Sequence, residues 1–596
     1  MDKHPQNGLA VVNAALIAVI TLSISAFSQE PSAALKKADT AYRAGQAALA
    51  QKDLSAAQAD FEQVIQLAPQ AEQGHSALGA VLVSRGHTRE GIRELEKALA
   101  IKATDSTAQI NLAMAYQQIG SPEKALPLFS RLEAGAQLQK RPLPSYVLAA
   151  YARALAETQK AGPAITKMKA ALATDSQNPE LHDELGSLYA QQKNWPEAQQ
   201  EFATAIRLNP DFAVAHLHLG LVMQAQGQTN AQTKGLTELA QASQLAPQNA
   251  AIAMELGRAL AAGGQDDQAI PVFQHVLEIE PQSTAASYQL ALALQRSNKV
   301  QEAISLLKKV VAAEPNNAEA MTNLGMALSQ AQQAKDAVPI LQRSIALAPE
   351  SVTAHQDLAA AYVQLSQFGD AVDELRAALK LAPDLPQLHY NLGLALKMQD
   401  DAAAAIPELE TAEKLDPSAP EAPYLLGVLY MQTGRYDDAA REMNASLKLR
   451  PENGDGWATL GSVYDKLNKL PEATSALREA IRQLPHQPDP HLTLAGVLVK
   501  QNQPAEAASE RKQAAALMRS NMNRQRAEVA TNSGNSQLRS GDVDGAIVQF
   551  RDALSFDANY AEAHLGLANA LDRQGKTADA AAERQKAEAA KTAANP

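Results

Sequence analysis

Proline stands at 247, 281, 315, 349, 383, 417, 451 and 485, every 34 residues without a slip. A fixed period of that size marks one helical unit copied end to end. A unit so small buries its apolar face only against its neighbours, so a chain built of them must stack. With the comb proline at repeat position 32, sixteen copies run from near Ala38 to near Ala594.

The same frame fixes other positions. Position 8 is Gly or Ala in all sixteen copies, from Gly45 and Gly79 to Gly534 and Ala568. Position 20 is likewise small, as in Ala57, Ala198, Ala405 and Ala580. Two helices cross closely only where the side chains between them are small. Glycine costs a helix about 1 kcal/mol relative to alanine, so its return at one helical position needs a packing reason. Bulkier residues flank the crossing. Position 7 is usually Leu, and position 24 is Phe, Leu or Met in most copies. Within one repeat, Tyr424, Gly427, Val428 and Met431 step by helical intervals, and strand alternation is absent. Gly, Asn, Gln or Asp marks the break between helices A and B. Pro122, Pro163, Pro196, Pro471 and Pro504 open helix B, where the first amides have no partner to lose. Pro127, Pro271, Pro339 and Pro407 lie further in and are expected to fall within the tolerated first turn.

This pattern resembles the tetratricopeptide repeat family. The stretch "GWATLGSVYDKLNKLPEATSALREAIRQLP" has Trp457, Leu460, Gly461, Tyr464, Ala473, Leu477, Ala480 and Pro485 at the motif positions. The resemblance covers nearly all of 38–594. It implies an all-α, right-handed α-solenoid of about sixteen helix–turn–helix repeats, with helix A lining the concave face.

A net charge of −12 speaks against a general nucleic-acid binder, whose footprint would be basic. Residues 1–28 stand outside the repeat. Lys3, an apolar run from Leu9 to Ile24 and the small-x-small stretch Ala26-Phe27-Ser28 read as a signal peptide, or as an uncleaved membrane anchor. Either implies export, to a periplasmic or extracellular space or to an inner membrane facing the periplasm. The absence of cysteine excludes disulfides, thiol catalysis and lipid attachment through an N-terminal cysteine, and suits a bacterial envelope.

Residues 29–37 are expected as a linker and 38–504 as the solenoid. Extra residues follow helix B of the third repeat, near Pro142 and Pro144, and three more enter the sixth. From Ala505 to Asn532 there is neither Gly nor Pro, so one long connecting helix is expected over 505–532. Residues 533–596 then form a C-terminal pair of repeats.

Catalytic signatures are missing. Seven of twelve histidines (His75, His182, His216, His355, His389, His491 and His564) occupy position 4, which reads as packing rather than metal binding. His216 and His218 are two apart and would not face each other on a helix. Gly575-Lys576-Thr577 imitates the end of a phosphate loop, but position 570 is Ala where that motif needs Gly. Asp266-Asp267, Asp400-Asp401 and Asp437-Asp438 fall where helix B begins, in keeping with its dipole. No cofactor, metal or catalytic residue is expected. Arg511, Lys512, Arg519, Arg524 and Arg526 form a basic cluster, either a solvated helix face or a contact for an acidic partner.

In the resembled family, positions 2, 5, 6, 9, 12 and 13 of helix A face the groove. Carried over, they give Met254, Glu255, Arg258, Tyr288, Gln289, Leu292, Thr322, Asn323, Met326, Gln356, Asp357, Tyr390, Asn391, Leu394, Met398, Tyr424, Val428 and Met431. Position 6 forms a column of amides and acids (Glu255, Gln289, Asn323, Asp357, Asn391) that could bond an extended peptide, as the family's asparagine ladders do. The family's clamp for C-terminal carboxylates needs Lys and Asn at positions 5 and 9 of one repeat, and no repeat has both. The reading is a non-enzymatic, exported scaffold for a protein or peptide partner, touching a membrane only through an uncleaved N-terminus. Alternatives are an accessory part of envelope polysaccharide or secretion machinery, or a regulatory subunit of a separate enzyme such as a glycosyltransferase.

Overall fold

The computed structural model describes residues 33–227 and 229–594. The N-terminal stretch 1–28, expected as signal peptide or anchor, lies outside the described residues. Among the described residues are 31 helices and no strand, in an all-α solenoid of helix–turn–helix units. Sixteen pairs give 31 because one helix serves two repeats. None of these helices is long and apolar enough to cross a membrane. The chain divides into two compact units, one ending at Leu306 and the other beginning at Leu307.

A regular repeat has a helix A of 13 residues and a helix B of 14, such as Ala318–Gln330 with Ala334–Leu347. Position 15, between them, is left-handed in every copy, with φ from +57° at Asn468 to +90° at Gly541. Six of the others are the glycines 86, 120, 227, 264, 434 and 575. The following amide closes the turn, as Asn194 N–H does on the Tyr189 carbonyl. Gly575 is thus the turn residue of the last repeat.

The small residues act where the helices cross. A Cβ on Gly186 would stand 2.7 Å from Phe202, and one on Gly461 2.5 Å from Leu477. Phe61, Phe129, Phe202, Phe273 and Phe550, all at position 24, are buried under 2% exposure. The position-24 side chain can also meet the next repeat, as where Leu477, with Ile481 at position 28, packs with Leu494 and Leu498.

Three expectations change. Helix begins at Ala33, inside the stretch expected as linker. Pro127, Pro271, Pro339 and Pro407 stand five residues into helices that start at Pro122, Asp266, Ala334 and Ala402. That is the second turn, not the first. The carbonyls they leave unbonded belong to Glu123, Asp267, Lys335 and Ala403, all exposed, so water takes the place of the amide. The long helix runs from Pro504 to Ser540 and includes helix A of the fifteenth repeat, past the 532 expected.

Candidate peptide-binding face

The face formed by successive A helices is held by two sets of polar staples. The first ties A to B within a repeat. His75 Nδ1 lies 2.6 Å from Glu94 Oε2, and the spacing of 19 residues recurs in His182–Glu201, His355–Glu374, His389–Glu408, His491–Glu510 and His564–Glu583. His216–Glu238 keeps the contact at 22 residues, because the three inserted residues fall between its partners. The other ring nitrogen reaches a linker carbonyl six residues back, that of Pro69, Pro210, Pro349 or Pro383 in four copies. Trp457 Nε1 donates to the Pro451 carbonyl in the same way, at 2.8 Å. In two repeats whose position 4 is apolar, at Ala253 and Met321, helix B supplies the donor: His275 to Pro247 and Arg343 to Pro315. Burial pushes the Glu94 carboxyl up, but hydrogen bonds from Lys97 and His75 outweigh it and hold the group below its usual range.

The second set ties helix A to the preceding helix B. Tyr116 donates to Glu96 at 2.6 Å and Tyr430 to Glu410 at 2.5 Å, each across 20 residues. Tyr362 accepts from Gln342, and Tyr464 from Asn444, at the same spacing. Burial, then the Glu96 carboxylate, pushes the Tyr116 hydroxyl up to about 12. Sequence reading caught the histidine column but missed both acid partners. The 19- and 20-residue intervals to Glu were the available signal.

On the framework so held, the groove candidates occupy six A helices. Those of the first unit are Met254, Glu255 and Arg258 on Ala250–Ala262, and Tyr288, Gln289 and Leu292 on Thr284–Arg296. Met254 is only 8% exposed and belongs to the core, not the groove. Glu255 and Arg258 pair with each other at 2.8 Å across one helical turn. Tyr288, Gln289 and Leu292 are half-buried.

The second unit carries the rest. Asn323 and Met326 lie on Ala318–Gln330, half-buried, and Asn323 donates to the Glu319 carbonyl of its own helix. Thr322 is a correction: it is buried and bonds Ser344 at 2.8 Å inside the repeat. Tyr390, Asn391 and Leu394 are half-buried, and Met398 is exposed, on Pro386–Met398. Asn391 accepts from Gln387 at 2.9 Å. Tyr424 and Met431 are half-buried on Glu421–Gln432. Burial, and the Glu421 carboxylate after it, raises the Tyr390 hydroxyl.

Asp357, in the middle of the column, is different. Its Oδ2 is buried and has no donor among the described residues, and burial pushes the carboxyl up to about 6. Asn111, at position 6 of the third repeat, is 1% exposed, and neither amide atom is bonded among the described residues. Sequence reading did not single it out. Among the described residues no group of three His, Cys, Asp or Glu could hold a metal. His218 turns to Asp183 at 2.8 Å, away from the contacts of His216.

Models of the tetratricopeptide repeat match residues 38–70, 233–284 and 396–463. A TPR repeat model matches 186–227 and 534–575, and a model of the Psidin N-terminal TPR repeats region matches 261–389. No curated protein matches the chain. Solved structures similar to it include MamA from Desulfovibrio magneticus RS-1, 24% identical over 28% of this chain and 96% of that one, with a TM-score of 0.27. The Cut9–Hcn1 hetero-tetramer of the APC/C is 16% identical over 90% of this chain and 96% of that one, with a TM-score of 0.33. YrrB, described as a TPR protein with an unusual peptide-binding site, is 20% identical over 31% and 95%, with a TM-score of 0.28. The family models together span more than half of the chain, and the repeats they mark are the helix pairs seen here: the chain belongs to the tetratricopeptide repeat family.

Proposed function

We propose that this chain is a non-enzymatic, exported scaffold that captures an extended protein segment along its A helices. Repeats of this kind support a protein-interaction role. The observation that carries the finer reading is Asp357. A buried carboxylate oxygen without a donor is costly, and an incoming backbone N–H would satisfy it. Half-buried Tyr390, Leu394 and Tyr424, with the exposed thioether of Met398, supply adaptable apolar contacts nearby in sequence frame. A stacked scaffold is ordered before its ligand arrives, so many modest contacts suffice for affinity.

Export rests on the N-terminal charge and apolar run. Mass spectrometry of the mature N-terminus tests it: a chain beginning at Gln29 supports cleavage. Binding is tested by recovery of partners from an envelope extract with the wild type and with Tyr390→Ala plus Asn391→Ala. Loss of a specific partner is expected. Unchanged recovery counts against the groove.

A further inference from the structure

The fourteenth repeat ends in an apolar face that the other repeats inside the chain keep covered among the described residues. In a regular stack, helix A of the next repeat lies against positions 5 and 12 of helix A and positions 24 and 28 of helix B. Position 5 is buried or half-buried in fifteen copies and exposed only at Leu492; position 12 is exposed only at Val499. These two are 40% and 46% exposed. On helix B, position 24 is buried in fourteen copies and exposed only at Arg511 and Arg584. The cause is the unbroken helix Pro504–Ser540, which carries the chain straight on instead of turning helix A of the fifteenth repeat back into place.

What is uncovered is a groove with chemistry. Arg511, Ala515, Met518 and Met522 follow at steps of four, three and four, so they share one side of the helix. All four are exposed, Met518 at 43% and Met522 at 47%. From Arg511 to Ala527 there is no acidic residue. Arg511, Lys512 and Arg519 make no ion pair among the described residues, and Arg524 and Arg526 lie near the rings of Tyr560 and Phe556, further along the helix. The chain's own fifteenth repeat does not fit the groove. Its outward positions 3, 7 and 10 are Val529, Ser533 and Ser536, all exposed, where repeats within a stack have small or apolar residues that are buried or, at Ala259, half-buried.

The last repeat treats the same position differently. At position 24 it too has arginine, but Arg584 pairs with Asp572 at position 12 of its own helix A. In the fourteenth repeat that position is Val499. One end is neutralised and polar; the other is apolar with its cations unpaired.

We propose that the end of the fourteenth repeat, with Leu492 and Val499 on one wall and Ala515, Met518 and Met522 on the other, docks an acidic amphipathic helix of a partner protein. The helix takes the place that helix A of a next repeat takes elsewhere. Its apolar stripe covers the two walls, and its carboxylates meet Arg511, Lys512 and Arg519. This site is separate from the groove along the A helices and stands whether or not that groove binds a peptide.

Two synthetic 17-residue helical peptides test it, with identical leucine stripes and either glutamate or lysine on the flanks, titrated into the full chain by calorimetry. The acidic peptide is expected to bind at least tenfold tighter than the basic one, and less tightly as salt rises. Met518→Ser with Met522→Ser, and Arg511→Glu with Arg519→Glu, should each weaken it at least tenfold. Tyr390→Ala with Asn391→Ala should not. All four substituted groove residues are exposed, so the variants should keep the wild-type circular dichroism. Equal affinity for both peptides, no binding of either, or binding indifferent to the groove variants overturns the proposal. So does self-association in sedimentation velocity, or flotation with phosphatidylglycerol vesicles, that the same variants abolish while the acidic peptide fails to bind. Those results give the face to a second copy or to a membrane.

Discussion

The eleventh and fourteenth repeats close alike and end differently. In both, a histidine at position 4 meets a glutamate at position 23, at 2.6 Å for His389–Glu408 and 2.5 Å for His491–Glu510. One residue further on they part. Leu409 of the eleventh is fully buried, and Arg511 of the fourteenth is exposed. The sixteenth repeat agrees with the fourteenth: His564–Glu583 is kept while position 24 is Arg584. Pairing two helices and stacking one pair on the next are therefore specified by different residues. A repeat can be complete in itself and still end a stack.

The sharpest way to break this comparison is to truncate position 24 in both repeats. Leu409→Ala should cost ~3–4 kcal/mol, the lost burial plus a cavity that close-packed neighbours cannot fill. Arg511→Ala should stay within ~0.5 kcal/mol, as exposed substitutions do. Urea unfolding followed by circular dichroism measures both. Similar losses would mean that position 24 does not define stacking.

Removing the staple should instead treat the two repeats alike. His389→Ala and His491→Ala each leave a glutamate without its imidazole, and His389→Ala also strands the Pro383 carbonyl. A loss of ~2 kcal/mol is expected in both, because a broken hydrogen bond with a part-buried partner costs about 1–3 kcal/mol. A loss confined to the eleventh repeat would show that the staple depends on the following repeat after all. Hydrogen exchange of helices Pro386–Met398 and Asp489–Lys500 locates the effect.

How much of this was legible beforehand follows from the same division. The helix crossing was readable because it recurs: one steric demand, met at Gly393 against Leu409 and at Gly461 against Leu477, writes Gly or Ala into every copy. The histidine column was readable as packing for that reason. Its acid partners were not, since Glu residues are common on helix surfaces and only the 19-residue interval ties Glu408 to His389. The groove was read by transfer of positions. Transfer fails where a residue turns inward, as Thr322 does to Ser344 and Met254 does into the core. The end of the fourteenth repeat was half visible: the missing turn after Ala505 was plain, but what it uncovers at Leu492 and Val499 needed the third dimension.

A smaller effect is expected from the staple between repeats. Tyr430→Phe removes the hydroxyl that donates to Glu410, while the ring stays buried beneath Arg435. Glu410 is exposed and water replaces the lost donor, so the cost should be ~1 kcal/mol. If stacking relied on this bond, the midpoint would fall as far as in Leu409→Ala. A loss near that of the histidine variants would place the two staples on one footing.

The smallest effect belongs to Asp357, and its sign is what matters. Burial raises its carboxyl from 3.8 to about 6, so between those values the folded chain holds a proton that the unfolded chain releases. Its contribution is complete below about pH 4 and is lost as pH rises through about 6, because stability falls with pH wherever the folded state binds more protons. The group is only part-buried, so the loss should be on the order of 1 kcal/mol after solvent screening. Asp357→Asn cannot titrate, and the difference in unfolding free energy between wild type and variant should change across pH 4 to 7 and level off above it. A difference flat over that range would mean the carboxylate finds a donor in solution, and the case for Asp357 as the point that calls for a peptide N–H would go with it. Saturating the groove with a true ligand should do the same deliberately. A bound N–H at Oδ2 stabilises the charged form, so ligand should bind more tightly above pH 6 than below pH 4 in the wild type, and equally well at both in Asp357→Asn.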